Sequence, residues 1–345
     1  MSDSTTTDQT LNPAAPAAPA YGRSLALLAL AVALIALPFF VQAIGQPALV
    51  PLATRVLIYA IAAASLNLAL GFGGMVSFGH AAFFGIGGYV VGILYRTMVD
   101  DTLFLGFIPG TDQLLITLPA ALLIGGLFAC VIGALSLRTS GVQFIMITLA
   151  FAQMLFFLFV SLKAYGGDDG LTIRRRNALF SFNTRDDITF YFICLVIAAL
   201  VFLALWRIVG SRFGMVLAGI RQNERRMAAI GIAPYRYKLA AFVISGMGAG
   251  LAGALMANYL RFVSPDMLHW TKSGELMIMV ILGGVGTLLG PLLGAAALVV
   301  LETVLTGWTE HWQIVLGPIL LLVVLFTQGG LNGLLGRLGL GARHD

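Results

Sequence analysis

Apolar runs of about twenty residues recur along almost the whole chain, separated by short polar stretches. A helix needs about 20 apolar residues to cross a ~30 Å hydrocarbon core. The runs predict spans at 25–44, 52–70, 75–94, 114–137, 142–162, 188–208, 239–259, 273–285, 288–306 and 313–327. That pattern is all-α: a polytopic membrane bundle of about ten helices. A β-barrel would instead show short segments of alternating polarity. The eighth run is short, and Gly283, Gly284, Gly286, Gly290 and Pro291 separate it from the ninth. A broken or re-entrant helix there, with nine crossings, is the alternative.

One long polar stretch interrupts the second half, from Arg207 to Lys238. Arg207, Arg212, Arg221, Arg225, Arg226, Arg236 and Lys238 stand there against a single acid, Glu224. Apolar residues fall at Phe213, Val216, Leu217, Ile220, Met227 and Ile230, which is helical spacing, while Arg221, Gln222, Arg225 and Arg226 occupy other faces. The pattern predicts one short amphipathic helix, or two with a break at Gly219, stopped by Gly231 and Pro234. Two roles are open to it. It is either an interfacial helix on anionic lipid or a docking helix that offers an apolar ridge and arginines to a soluble partner.

Composition sharpens the class. The 345 residues are 59% hydrophobic and 10% charged, with mean hydropathy +0.96. The 41 glycines predict close helix packing, because helices in lipid associate through small residues rather than through hydrophobic drive. The net charge of +5 comes from residues that border apolar runs, so lipid headgroups are the expected partner and nucleic acid is not. Cys130 and Cys194 lie inside apolar runs and read as small buried hydrophobes. Residues 1–23 form a Ser/Thr/Asp then Pro/Ala tail, expected to be disordered and cytoplasmic. A transmembrane domain is expected over 24–328, with a cytoplasmic tail at 329–345. Placing 207–238 inside also brings Arg23, Arg138, Arg337 and Arg343 inside, but it leaves Lys163, Arg174, Arg175, Arg176 and Arg185 outside, against the positive-inside rule.

Candidate chemistry is sparse. Ser77 and His80 sit in a glycine cluster where two spans meet, and polar groups at that depth are either held by a structural hydrogen bond or part of a pathway. Thr148 and Gln153, with Gln143, are uncharged polar residues within one span. Gly166, Gly167, Asp168, Asp169 and Gly170 form an acidic turn without the spacing of a Ca²⁺ loop. Glu275 and Glu302 lie near span ends, where snorkelling or helix-end contacts compete with proton coupling. Gly283–Thr287 faintly echoes Gly73–Ser77, as an internal repeat would. There is no phosphate loop of the GxxxxGK[ST] type, no HExxH, no GxSxG and no CxxC. Neither a metal site nor catalysis is expected on this chain.

Five ordered segments resemble the permeases of ATP-binding-cassette importers for branched-chain amino acids: 71–89 (GFGGMVSFGHAAFFGIGGY), 138–154, 166–171 (GGDDGL), 211–232 (SRFGMVLAGIRQNERRMAAIGI) and 282–295. The resemblance covers roughly 52–327. It implies a bacterial inner-membrane protein with a related second permease as heterodimer partner, two cytoplasmic ATP-binding subunits carrying ATP-Mg, and an extracytoplasmic substrate-binding protein. No cofactor is implied on this chain. The resemblance implies that 211–232 is the ATPase-coupling segment, with Arg212, Phe213, Ile220, Arg221, Asn223, Glu224, Arg225 and Arg226 in it. Ser77, His80, Thr148 and Gln153 are the candidate translocation path. Urea and short-amide permeases are similar in the same motifs, so urea is the alternative cargo. An ion-coupled carrier is the second alternative, and it would need a buried cluster built from Glu275, Glu302 and His80.

Overall fold

The computed structural model describes residues 20–104, 108–179 and 184–308, with scattered positions from 311 to 333. Its helices are α1 (Ala20–Ala43), α2 (Leu49–Asn67), α3 (His80–Val99), α4 (Leu114–Ser136), α5 (Val142–Ser161), α6 (Asp187–Val209), α7 (Arg212–Gln222), α8 (Glu224–Ala229), α9 (Pro234–Leu260), α10 (Trp270–Gly283) and α11 (Gly290–Thr306). Leu68–Phe72 continues α2 as a π-helical turn. Among the described residues six helices are long and apolar enough to cross a membrane: α2 with its extension, α3, α4, α5, α6 and α9. The tail predicted over 1–23, the tenth predicted span at 313–327 and the tail at 329–345 lie wholly or mostly outside the described residues.

These six form two layers. The apolar windows of α2, α3 and α9 are 67%, 72% and 67% buried inside the protein, those of α4, α5 and α6 only 33%, 22% and 28%. The outer helices therefore turn leucines and aromatics outward, among them Leu123, Leu127, Phe157, Leu200 and Trp206. In water such a surface would collapse. In a bilayer it is the ordinary lipid or partner face.

Small residues set the inner layer. A side chain on Gly87 would occupy the Gly250 carbonyl, and one on Gly253 would occupy the Phe84 carbonyl. Helices α3 and α9 thus cross backbone to backbone, the close approach that the glycine content predicts. Gly88 and Gly92 face Met267, Leu171 and Val263, in a cap at the far end from α7. In that cap β3 (Leu171–Thr172) pairs antiparallel with β4 (Phe262–Val263), Leu171 opposite Val263. The acidic turn is built into it, since a Cβ on Gly170 would strike the Val263 carbonyl.

Three boundaries depart from the sequence prediction. The third span does not begin at Met75, because residues 73–79 are irregular and α3 starts at His80. The eighth and ninth predicted spans become α10 and α11, with Gly284 (φ 122°) and Gly286 (φ 77°) in the left-handed region between them. The amphipathic segment breaks at Asn223 and not at Gly219. Gly219 stays inside α7, where a Cβ would press on Met227 at 2.9 Å, so its small size serves the α7–α8 packing.

Candidate functional site

The polar segment stands on the bundle through a few buried contacts. Leu217 is fully buried and Ile220 is 2% exposed, and the Phe213 ring stacks on Tyr237 of α9 at 5.7 Å. Asn223 opens α8 as its cap, its Oδ1 accepting from the Arg226 N–H at 3.0 Å. That satisfies one of the orphan donors of the first turn. Lys238 donates to Glu224 and fastens α8 to α9. The rest faces outward: Arg212, Arg225 and Arg226 are exposed and form no ion pair with described residues. Met215 and Ile230, 65% and 67% exposed, stand beside them. The surface is a cationic rim around apolar side chains.

Arg221 differs from its neighbours. It runs back into the bundle, where its Nη1 donates to the Gly71 carbonyl. Gly74 carries no side chain at the point where a Cβ would lie 3.0 Å from the Arg221 Cγ. Gly71 belongs to the π-turn at the end of α2, and that turn rests on the break between α10 and α11. Asn67 locks the two together: its Oδ1 accepts from the Gly286 N–H at 2.9 Å and its Nδ2 donates to the Thr287 carbonyl at 2.7 Å. A Cβ on Gly71 would fall 2.5 Å from the Gly286 nitrogen. The two glycine stretches that echo one another in sequence meet the same side chain, since Cβ atoms on Gly74 and Gly286 would lie 3.0 and 3.3 Å from Arg221. Asn67, 2% exposed, is a functional candidate that motif reasoning missed. Its signal was an amide inside an apolar span, four residues before a glycine run.

A second polar group lies deeper. His80 Nε2 is 2.7 Å from Ser245 Oγ, and that hydroxyl donates to the Ser65 carbonyl at 2.5 Å. The ring nitrogen is then the donor in the first bond. The imidazole is fully buried and meets Phe83 and Phe242 edge-on at 5.6 and 5.4 Å. Ser77 and Thr148 come together: Ser77 Oγ accepts from Gly79 N–H at 3.1 Å and Thr148 Oγ1 from Phe78 N–H at 3.3 Å. Ser273, on α10, completes the clamp by accepting from Ala81 N–H at 2.8 Å and donating to the Phe78 carbonyl at 2.7 Å. Gln153 is not part of this group. Its Oε1 is buried and has no hydrogen-bond partner among the described residues.

Several charges at the far end are paired. Arg55 Nη2 donates to both oxygens of Glu302 at 2.8 Å, and Lys272 to Glu275 at 2.8 Å. Arg176, written in the sequence as a loop charge, is 9% exposed. Its guanidinium bonds Asp187 at 2.6 Å and lies over the Phe190 ring at 4.6 Å.

The family described as branched-chain amino acid transport system, permease component, matches residues 48–325. The chain belongs to this family. It is 28% identical, over 90% of its length and 75% of the relative's, to the high-affinity branched-chain amino acid transport system permease protein LivM of Salmonella typhimurium. A probable branched-chain amino acid transport permease protein LivM of Methanocaldococcus jannaschii is 26% identical over 78% of this chain and 86% of its own. The LivH permease protein of the Salmonella typhimurium system is 26% identical over 36% of this chain and 40% of its own. No solved structure matches. The six apolar helices and the family together make this chain a multi-pass membrane permease, a transport subunit.

Proposed function

We propose that this permease imports branched-chain amino acids in an ATP-driven complex, in which α7 and α8 receive the motor. The complex contains a related second permease, two cytoplasmic ATPase subunits that bind ATP-Mg, and an extracytoplasmic binding protein. This chain lies in the bacterial inner membrane with about ten crossings and the 207–238 end in the cytoplasm. Relatives named for branched-chain amino acids favour that cargo over urea.

The observation that carries the reading is Arg221 reaching from the exposed segment to Gly71, at the joint where the π-turn of α2 meets the α10–α11 break. ATPase closure has to move helices, and a ligand or motor shifts a conformational equilibrium only by interacting differently with its two states. Arg212, Arg225, Arg226, Met215 and Ile230 offer the motor a surface. Phe213, Ile220, Asn223 and Glu224 make the segment rigid, and Arg221 passes its displacement to two helices at their glycine breaks. Such breaks are where a helix end changes angle at low cost. Polar Ser77, His80, Thr148 and Gln153 belong to the bundle that this displacement rearranges.

The test is uptake by vesicles containing all subunits, with labelled leucine and labelled urea compared. The reading expects leucine to accumulate only with ATP present, and urea not to accumulate. Accumulation driven by an ion gradient without ATP would overturn it. The ion-coupled alternative lacks its unpaired buried acid, since Glu302 and Glu275 each hold a basic partner.

A further inference from the structure

Between Phe72 and His80 the chain crosses the bundle without regular structure. Its residues alternate: Gly73, Met75, Ser77 and Gly79 are buried, while Gly74 and Val76 are exposed and Phe78 is half-buried. Val76 is 37% exposed and Met75 beside it only 5%. The buried edge is clamped from three helices, by Thr148 of α5, by Ser273 of α10 and, through Met75 N–H, by the Ala69 carbonyl at 2.9 Å. On the open edge the main-chain N–H of Val76 donates to nothing among the described residues.

The segment runs inward from Gly74, which lies against Arg221, to Phe78, which is held by Thr148 about 9 Å along α5 from Val142 at 1.5 Å per residue. Unpaired main-chain groups at such depth cannot face hydrocarbon, where each costs several kcal/mol. They face either a tightly packed protein partner or a water-filled passage. The exposed glycine and the unpaired Val76 N–H favour the passage, where water or substrate can accept from that donor.

We infer that the Gly74–Phe78 segment lines the translocation passage and that the Val76 N–H receives the carboxylate of the α-amino-acid substrate, beside the apolar Val76 side chain. This inference rests on the transport reading above. It puts the substrate contact on the main chain and leaves Ser77, His80 and Thr148 to hold that segment from behind. Backbone donors bind a carboxylate without placing a charge in the membrane interior, where an arginine would hold an anion too long and cost more to bury.

The test uses the complete importer in nanodiscs, open to reagent on both faces, with Cys130 and Cys194 replaced by alanine. Single cysteines go in at Met75, Val76 and Ser77, and modification of this chain by a cationic methanethiosulfonate reagent is timed during ATP turnover. Since thiol reactivity follows exposure, Val76→Cys is expected to react about tenfold faster than Met75→Cys or Ser77→Cys. Leucine at about ten times its half-saturating concentration is expected to slow that reaction about tenfold by occupancy, and leucinamide, which lacks the carboxylate, is expected not to. A transporting complex whose Val76→Cys reacts no faster than Met75→Cys would overturn the passage. Equal protection by leucine and leucinamide would overturn the carboxylate contact. If Val76→Cys itself stops uptake, Phe78→Cys takes its place in the same comparison. ATP-dependent leucine uptake by the cysteine-free complex is measured beside these. Its absence counts against the transport reading, whereas uptake with an unreactive position 76 counts against this inference alone.

Discussion

Asn67 and Gly286 are joined by a hydrogen bond of 2.9 Å from the Gly286 N–H to the Asn67 side-chain oxygen, across 219 residues of chain. The other half of the same amide donates to the Thr287 carbonyl. One side chain thus satisfies two main-chain groups that the α10–α11 break sets free. Replacing it with leucine leaves both buried and unpaired, at about 1–3 kcal/mol per group. Asn67→Leu is expected to lower the thermal midpoint of the detergent-solubilised permease by several degrees. An unchanged midpoint would mean that water or movement satisfies the break instead.

Glycine tolerance follows backbone approach. Gly87→Val forces α3 away from the Gly250 carbonyl, and overpacking of this kind costs roughly 1–3 kcal/mol. Gly274→Ala, with nothing within 4 Å of its added methyl, is expected to fold and transport as the parent does. Comparing membrane accumulation and melting of the two variants checks this. Equal behaviour would contradict the crossing.

On the proposed reading the exposed arginines form the motor's surface. Arg225→Glu with Arg226→Glu is expected to insert normally but to weaken co-purification of the ATPase subunits by about tenfold or more, equivalent to ~1.4 kcal/mol. Unaltered co-purification would return α8 to the lipid surface.

Glu302 and Glu275 are expected to act only as ion-pair partners of Arg55 and Lys272. Glu302→Gln with Glu275→Gln should keep ATP-dependent leucine uptake within about twofold of the parent, the small effect usual for partly exposed pairs. Abolished uptake with intact ATP hydrolysis would point to ion coupling.

Much of this was legible in the sequence, and the rest was hidden for identifiable reasons. Length and hydropathy mark α2, α4, α5, α6 and α9 because a lipid-facing or core helix must be apolar over its whole length. The start of α3 was misplaced by five residues, since Met75, Val76 and Phe78 are apolar whether they lie in a helix or in an irregular segment. Glycine content announced close packing but not which glycines meet, and that Gly87 lies on the Gly250 carbonyl only the fold shows. Arg55–Glu302 pairs residues 247 apart, a juxtaposition that only the fold creates. Asn67 carries its role through main-chain partners, which no motif records. In the coupling segment the arginines were identifiable as a group, but the turning of Arg221 toward Gly71 depends on the missing side chain of Gly74.

The central claim is that Arg221 transmits motor movement to the glycine joint. Its most direct test is the Arg221→Ala complex, with ATP hydrolysis and leucine uptake measured on the same preparation. Normal subunit assembly and continued ATP hydrolysis, with uptake reduced by about tenfold or more per ATP consumed, is the predicted result; tenfold corresponds to ~1.4 kcal/mol of lost coupling. Uptake per ATP equal to that of the parent would contradict the account.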